Sequence, residues 1–181
     1  SSYQWSFFTE LEEIISQLPN LKFVGTLATG YNQIDGVALR KRNIPLSNIP
    51  SYSTNAVAQM VFAYILESVN RVSEYTASVK NGDWENCKDF CYWNMPLYEL
   101  DGKTLGIIGF GKIGRRVSEI AKAFGMNVLV YTPSGKKDDA PDVEFTDMDV
   151  VLRNSDFITV HCPLKEKTAG LINNEFISKL K

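Results

Sequence analysis

The amino-acid sequence predicts an α/β protein with a doubly wound parallel sheet, and three observations lead there. From Lys103 onward, short apolar runs alternate with amphipathic stretches, as in strand–helix–strand units. A glycine-rich turn, Gly109-Phe110-Gly111-Lys112-Ile113-Gly114, joins the first apolar run to the first amphipathic stretch. The chain is 44% hydrophobic and 22% charged over 181 residues, enough apolar material for a packed core.

The elements follow in order. Phe7, Leu11, Ile14, Ile15 and Leu18 recur at helical spacing, with Thr9 and Glu12 as a capping box and Pro19-Asn20 as the stop. Residues 21–27 form an apolar run expected to be a buried strand, and residues 28–32 a tight loop. Residues 37–42 read as a short helix and 44–48 as a short strand bounded by prolines. Thr54 opens a long periodic segment. Val57, Val61, Ile65, Val69, Val72, Tyr75 and Val79 carry it as one helix to Lys80, before the Asn81-Gly82 stop. At ~1.5 Å per residue that helix would run about 40 Å. Residues 83–99 keep no period and read as an irregular, aromatic-rich connection. Strands are expected at 104–108, 127–131 and 157–160, and helices at 112–124, 147–153 and from 173 onward.

Charge and composition exclude several functions. Nineteen basic and 21 acidic side chains leave a net charge of -2, which suits neither nucleic acid nor an anionic membrane surface. No apolar run approaches the ~20 residues of a membrane-spanning helix. Ser1 to Thr9 has neither the basic start nor the small-residue cleavage site of a signal peptide, so the cytoplasm is the expected location. Cys87, Cys91 and Cys162 have no disulfide-framework spacing, and one histidine, His161, gives them no metal-binding partner set.

The glycine turn carries the chemistry. Gly109 permits the sharp exit from the strand. Gly111 lets a pyrophosphate approach the backbone, and Gly114 lets the helix pack closely on the strand. Amide N–H groups near Lys112 and Ile113 then face the phosphates at the helix N-terminus. In a site for NAD, a carboxylate at the end of the second strand accepts hydrogen bonds from the ribose. Here Val128-Leu129-Val130-Tyr131 ends in Thr132, followed by Lys136 and Lys137 before the first carboxylate at Asp138. NAD and NADP both remain open on this pattern.

Four stretches resemble the D-isomer-specific 2-hydroxyacid dehydrogenases, most nearly the glycerate dehydrogenase or hydroxypyruvate reductase branch. They are residues 27–35 (LATGYNQID), 52–59 (YSTNAVAQ), 89–114, and His161-Cys162-Pro163-Leu164 with Thr168, in the family's order. The resemblance implies a Rossmann-like nucleotide-binding domain, here incomplete, inserted into a flavodoxin-like substrate domain. Residues 1–53 would be part of the substrate domain and 54–181 the nucleotide-binding domain. The helix over 54–80 would link the domains and support a homodimer. The reaction implied is hydride transfer between NAD(P)H and a small 2-oxo acid such as hydroxypyruvate or glyoxylate. Thr29, Gly30 and Tyr31 match the loop whose amides hold the substrate carboxylate, with Thr29 also near the cofactor. Lys112 and Ile113 match the phosphate-binding pair, and Thr132 the ribose-reading position. Cys162 and Pro163 match residues beside the nicotinamide, and Thr168 belongs to the same cofactor-binding set.

His161 matches a position beside the cofactor, so it is not expected to be the proton donor. The family's catalytic arginine, glutamate and histidine match no residue of this chain, so no catalytic residue is assigned and the 181 residues alone are expected to be inactive. Two other readings stand beside this one. A non-catalytic NAD(H)-sensing corepressor shares the fold. A methyltransferase shares the glycine turn, but the His161-Cys162-Pro163 and Thr29-Gly30 stretches argue against it.

Overall fold

The protein is described by a computed structural model covering residues 13–133, 135 and 140–181. The chain divides between Ser53 and Thr54 into two compact units.

In the first unit, residues 13–16 are helical; the expected Thr9–Glu12 capping box lies outside the described residues. Strand β1 (Val24–Gly25) pairs in parallel with β2 (Leu46–Ser47), and α1 (Gly36–Lys41) lies between them in sequence. The Asp35 carboxylate starts α1, accepting from the amides of Val37 and Ala38 at 2.9 Å each. Ile15, Ala38, Leu39 and Ile44 form the core. Both expected strands shrink to two residues. Among the described residues each has a single neighbour, so little ladder exists to hold a longer strand.

The second unit is a four-stranded parallel sheet. Its strands are β3 (Thr104–Ile108), β4 (Asn127–Tyr131), β5 (Glu144–Phe145) and β6 (Phe157–Val160), in the order β5-β4-β3-β6. Alternation along the strands builds two apolar layers. Leu105, Ile107, Val128 and Val130 face one layer with α2 (Thr54–Asn70) and α4 (Lys112–Ala123). Ile108 and Leu129 face the other, with Val151 and Leu152 of α5 (Met148–Asn154) and Phe176 of α6 (Asn174–Ser178). Helices therefore cover both faces, as a doubly wound sheet requires. Gly106 is a strand residue whose lack of a side chain matters. A Cβ there would lie 2.4 Å from Ser155 Oγ and 2.7 Å from Val151 Cγ1, so its absence lets α5 sit directly on the sheet.

The single helix expected over 54–80 is two helices, α2 and α3 (Val72–Lys80). Arg71 breaks them apart with φ 49° and ψ 45°, a left-handed conformation uncommon outside glycine. Packing explains the break. The apolar stripe of α2 (Ala58, Phe62, Ile65, Val69) is buried against the sheet and α4, whereas α3 buries no residue and exposes Val72 and Val79. Glu67 restarts the helix by accepting from the Ser73 amide at 3.2 Å and from the Ser73 hydroxyl, placing an anion at the α3 N-terminus. Residues 83–99 form turns and bends, as expected from their sequence, with Tyr92 packed against Trp84 and Tyr75.

Candidate dinucleotide site

The sheet order places a topological switch point between β3 and β6. From β3 the chain goes one way to β4 and β5, then crosses back to β6. Open α/β sheets bind ligands in the crevice this reversal leaves at the carboxyl ends of the strands. The carboxyl ends here are Gly109 after β3, Thr132 after β4 and His161-Cys162 after β6. Three motifs far apart in sequence thus converge. The Gly109 amide donates to Tyr131 O at 2.8 Å, and the His161 amide to Ile108 O at 2.7 Å.

Within the glycine loop the three glycines differ. Gly109 has φ +99°, and a Cβ on it would sit 2.7 Å from the Cys162 amide nitrogen and 2.8 Å from the His161 carbonyl carbon. The β6 exit therefore passes directly against the loop. A Cβ on Gly114 would meet Gly109 O at 2.3 Å, so α4 begins in contact with the turn that precedes it. A Cβ on Gly111 would meet nothing within 4 Å. Gly111 is also the residue before α4 and supplies no side-chain cap. An uncapped helix N-terminus behind an open backbone is the arrangement that accepts a phosphate. Lys112 and Ile113 open that helix, and Ile113 packs on the core beneath. The loop thus fits a dinucleotide pyrophosphate: two glycines hold the turn shut and one leaves the approach clear.

Thr132 stands half-buried at the end of β4, and its carbonyl accepts from the Gly135 amide at 3.0 Å in a tight turn. Lys136, Lys137 and Asp138 lie outside the described residues. Past β6, Cys162, Pro163, Leu164 and Thr168 line a surface cavity of about 340 Å³. The Thr168 hydroxyl shapes that loop by donating to Pro163 O at 2.6 Å and accepting from the Lys165 amide at 2.8 Å.

His161 Nε2 lies 2.8 Å from Thr159 Oγ1. Burial holds its pKa below the usual histidine value, because desolvation disfavours the imidazolium. The neutral ring is therefore the favoured form near pH 7. A stability effect follows. As pH falls below about 6.5, the unfolded chain takes the proton before the folded one, so folding weakens. Stability contributed by neutral His161 is complete above that pH and is lost on descending to the lower folded pKa. Urea midpoints measured across this window should fall for the parent chain and stay flatter for His161→Gln. Equal slopes would rule this out, and the single histidine makes the comparison clean.

In the first unit, Thr29, Gly30 and Tyr31 form an exposed loop. The Asn48 side-chain amide donates to Thr29 O at 2.7 Å, the Gln33 side chain to Gly30 O at 3.3 Å, and the Ile34 amide to Tyr31 O at 3.0 Å. The Thr29 hydroxyl donates to Ile49 O at 3.2 Å. With the carbonyls so committed, among the described residues the amides of Thr29, Gly30 and Tyr31 donate to no partner. That polarity suits an anion.

Sequence reasoning passed over one contact group. Phe110, between the first two glycines, is buried edge-on to Phe145 at 5.2 Å between ring centres, and the Arg115 guanidinium lies 4.8 Å above its ring. Arg115 follows the last glycine, but nothing local marks it, because its partner's partner is on β5.

Comparison with known proteins gives these features a family. The D-isomer specific 2-hydroxyacid dehydrogenase NAD binding domain matches residues 62–181. A hydroxypyruvate reductase of Blautia hydrogenotrophica is 43% identical over 172 residues, covering 93% of this chain and 53% of that protein. A glycerate dehydrogenase of Methylorubrum extorquens is 36% identical over 169 residues, covering 93% and 52%. The crystal structure of D-lactate dehydrogenase from Aquifex aeolicus, complexed with NAD and lactic acid, superposes with a TM-score of 0.82 at 36% identity, covering 98% of this chain and 51% of that one. An acyclic imino acid reductase in complex with NADPH and D-Arg also gives 0.82, at 30% identity. The chain spans about half the length of the curated relatives it matches. With the switch-point crevice, the glycine cradle and the matched span in agreement, the chain belongs to the D-isomer-specific 2-hydroxyacid dehydrogenase family and carries its NAD-binding fold.

Proposed function

We propose that this chain provides the dinucleotide site and part of the substrate site of an oxidoreductase that interconverts a small D-2-hydroxy acid and its 2-oxo acid, of the glycerate, hydroxypyruvate or glyoxylate type. The observation that carries this reading is the convergence of Gly109, Gly111 and Gly114 with Cys162 at the β3/β6 switch point. When bound, NAD(H) or NADP(H) supplies or takes the hydride. The chain's own residues bind and orient. Backbone at Gly111, Lys112 and Ile113 takes the pyrophosphate, Thr132 takes the ribose, and Cys162, Pro163 and Thr168 wall the cofactor. The amides of Thr29, Gly30 and Tyr31 take the substrate carboxylate.

The same reading places the protein in the cytoplasm as a homodimer formed around α2, whose outer side exposes Val57, Met60 and Tyr64. Among the described residues no helix is long and apolar enough to cross a membrane.

The proposal also holds that these 181 residues bind cofactor without turning over. His161 is the only histidine, and burial lowers its pKa. Titration with NADH and NADPH should quench tryptophan emission or transfer it to the dihydronicotinamide. Hydroxypyruvate added to the loaded chain should leave the 340 nm absorbance (roughly the dihydronicotinamide band) at its background drift. Steady oxidation would overturn the claim of inactivity, and absence of binding to either dinucleotide would overturn the functional reading itself.

A further inference from the structure

The structure assigns Asn48 a positioning role: its side-chain amide turns the peptide group between Thr29 and Gly30 so that the Gly30 N–H faces the anion the loop receives. The inference rests on the reading of Thr29, Gly30 and Tyr31 as the loop that takes the substrate carboxylate. Three successive carbonyls of this loop each have a donor. Ala28 O accepts from the Ile49 amide at 3.2 Å, Thr29 O from Asn48 Nδ2 at 2.7 Å, and Gly30 O from Gln33 Nε2 at 3.3 Å. A trans peptide group is planar, with its C=O and N–H pointing in opposite directions. Fixing a carbonyl therefore fixes the direction of the amide that follows it. Ala28 O aims the Thr29 amide, Thr29 O the Gly30 amide, and Gly30 O the Tyr31 amide.

Two of these peptide planes are held from one place. Asn48 and Ile49 are neighbours on the segment that leaves β2, and they take Thr29 O and Ala28 O. Extended backbone would send two successive carbonyls to opposite sides, whereas here both point at residues 48–49. The Thr29 and Gly30 amides consequently point together, away from that segment, as successive N–H groups do in an anion-binding concavity. The Thr29 hydroxyl, donating to Ile49 O at 3.2 Å, ties the loop to the same segment once more. The Ile49 donor is backbone, so any residue but proline supplies it. The Asn48 donor is a side chain, so the second plane depends on the residue type at that position. Without it, among the described residues Thr29 O has no other donor. The plane is then free to turn its carbonyl, and not its N–H, toward an incoming carboxylate, which that dipole repels.

The test is an NMR titration of the isotope-labelled 181-residue chain with sodium glyoxylate at constant ionic strength, read at the amides of Thr29, Gly30 and Tyr31. In the parent chain all three amide signals should move together. Asn48→Leu keeps the size of the side chain and removes its donor. It should weaken glyoxylate by about 5-fold, the scale of one hydrogen bond. It should also mute the Gly30 signal most and leave Tyr31 the more responsive. Gln33→Leu should do the converse, muting Tyr31 and sparing Gly30. A general loosening of the loop does not give this crossed pattern. If Asn48→Leu does not fold, Asn48→Ser, polar but too short to reach Thr29 O, is read in the same way. Equal muting of all three amides, or unchanged glyoxylate binding in a folded Asn48 variant, overturns the role of Asn48 while leaving the loop as the carboxylate site. No response of these amides in the parent overturns both readings together.

Discussion

Gly109→Ala is expected to destabilise the second unit by about 2–6 kcal/mol and to abolish dinucleotide binding with it. Two independent effects add at this position. The backbone stands at φ +99°, where an L side chain is strained by roughly 1–3 kcal/mol. The new methyl would also press on backbone rather than on a flexible side chain: Cys162 N at 2.7 Å and the His161 carbonyl carbon at 2.8 Å. Overpacking of that kind costs roughly 1–3 kcal/mol. At ~2–4 °C per kcal/mol for a chain of this size, the melting temperature should drop by about 4–24 °C. Gly102→Ala separates the two contributions. Gly102 has φ +72° with nothing within 4 Å of its would-be Cβ, so it carries the conformational cost without the collision. The measurement is a pair of thermal or urea melts. Gly109→Ala must lose clearly more than Gly102→Ala; equal losses would mean that the β6 exit yields freely and that the close approach to Cys162 does not hold the crevice.

This contact also shows what the sequence could and could not disclose. The βα unit from Thr104 to Ala123 was legible because each signal is local: an apolar run, a glycine turn and an amphipathic helix in immediate succession. Strands β4 and β6 matched their expected bounds for the same reason. The two-residue β5 was not legible, since two residues have no period, yet its Phe145 positions Phe110 and so Arg115. The break at Arg71 was hidden because the three-to-four spacing of apolar residues continues through it. Only the loss of anything to pack against distinguishes Val72 and Val79 from Ile65 and Val69. Gly106 read as one more residue of an apolar strand, while its function is to admit Ser155 and Val151. At the site, the resemblance named Thr29, Thr132 and Cys162. The positive φ of Gly109 against Cys162, and the burial of His161, are properties of the assembled sheet that no spacing encodes.

Gly111→Ala is expected to do the reverse of Gly109→Ala: it should leave the fold intact and remove most of the cofactor affinity. Gly111 adopts φ −86° and ψ −160°, extended backbone that alanine tolerates, and nothing lies within 4 Å of its would-be Cβ. The melting temperature should therefore stay within about 2 °C of the parent, the ordinary range for an unburdened surface substitution. The open volume that makes the substitution harmless to the fold is the same volume a pyrophosphate needs. On the proposed reading, a methyl group there would stand between the phosphate oxygens and the amides of Lys112 and Ile113 at the start of α4. Forcing the ligand past it has the character of overpacking, roughly 1–3 kcal/mol, which is about 5- to 150-fold in affinity. Both dinucleotides should weaken together, because the pyrophosphate is common to them. Titrating NADH and NADPH into Gly111→Ala alongside a melt reads both quantities. Unchanged affinity in a folded variant would mean that the open face of Gly111 is not where the phosphates lie, and the dinucleotide would have to be placed elsewhere along the β3/β6 crevice.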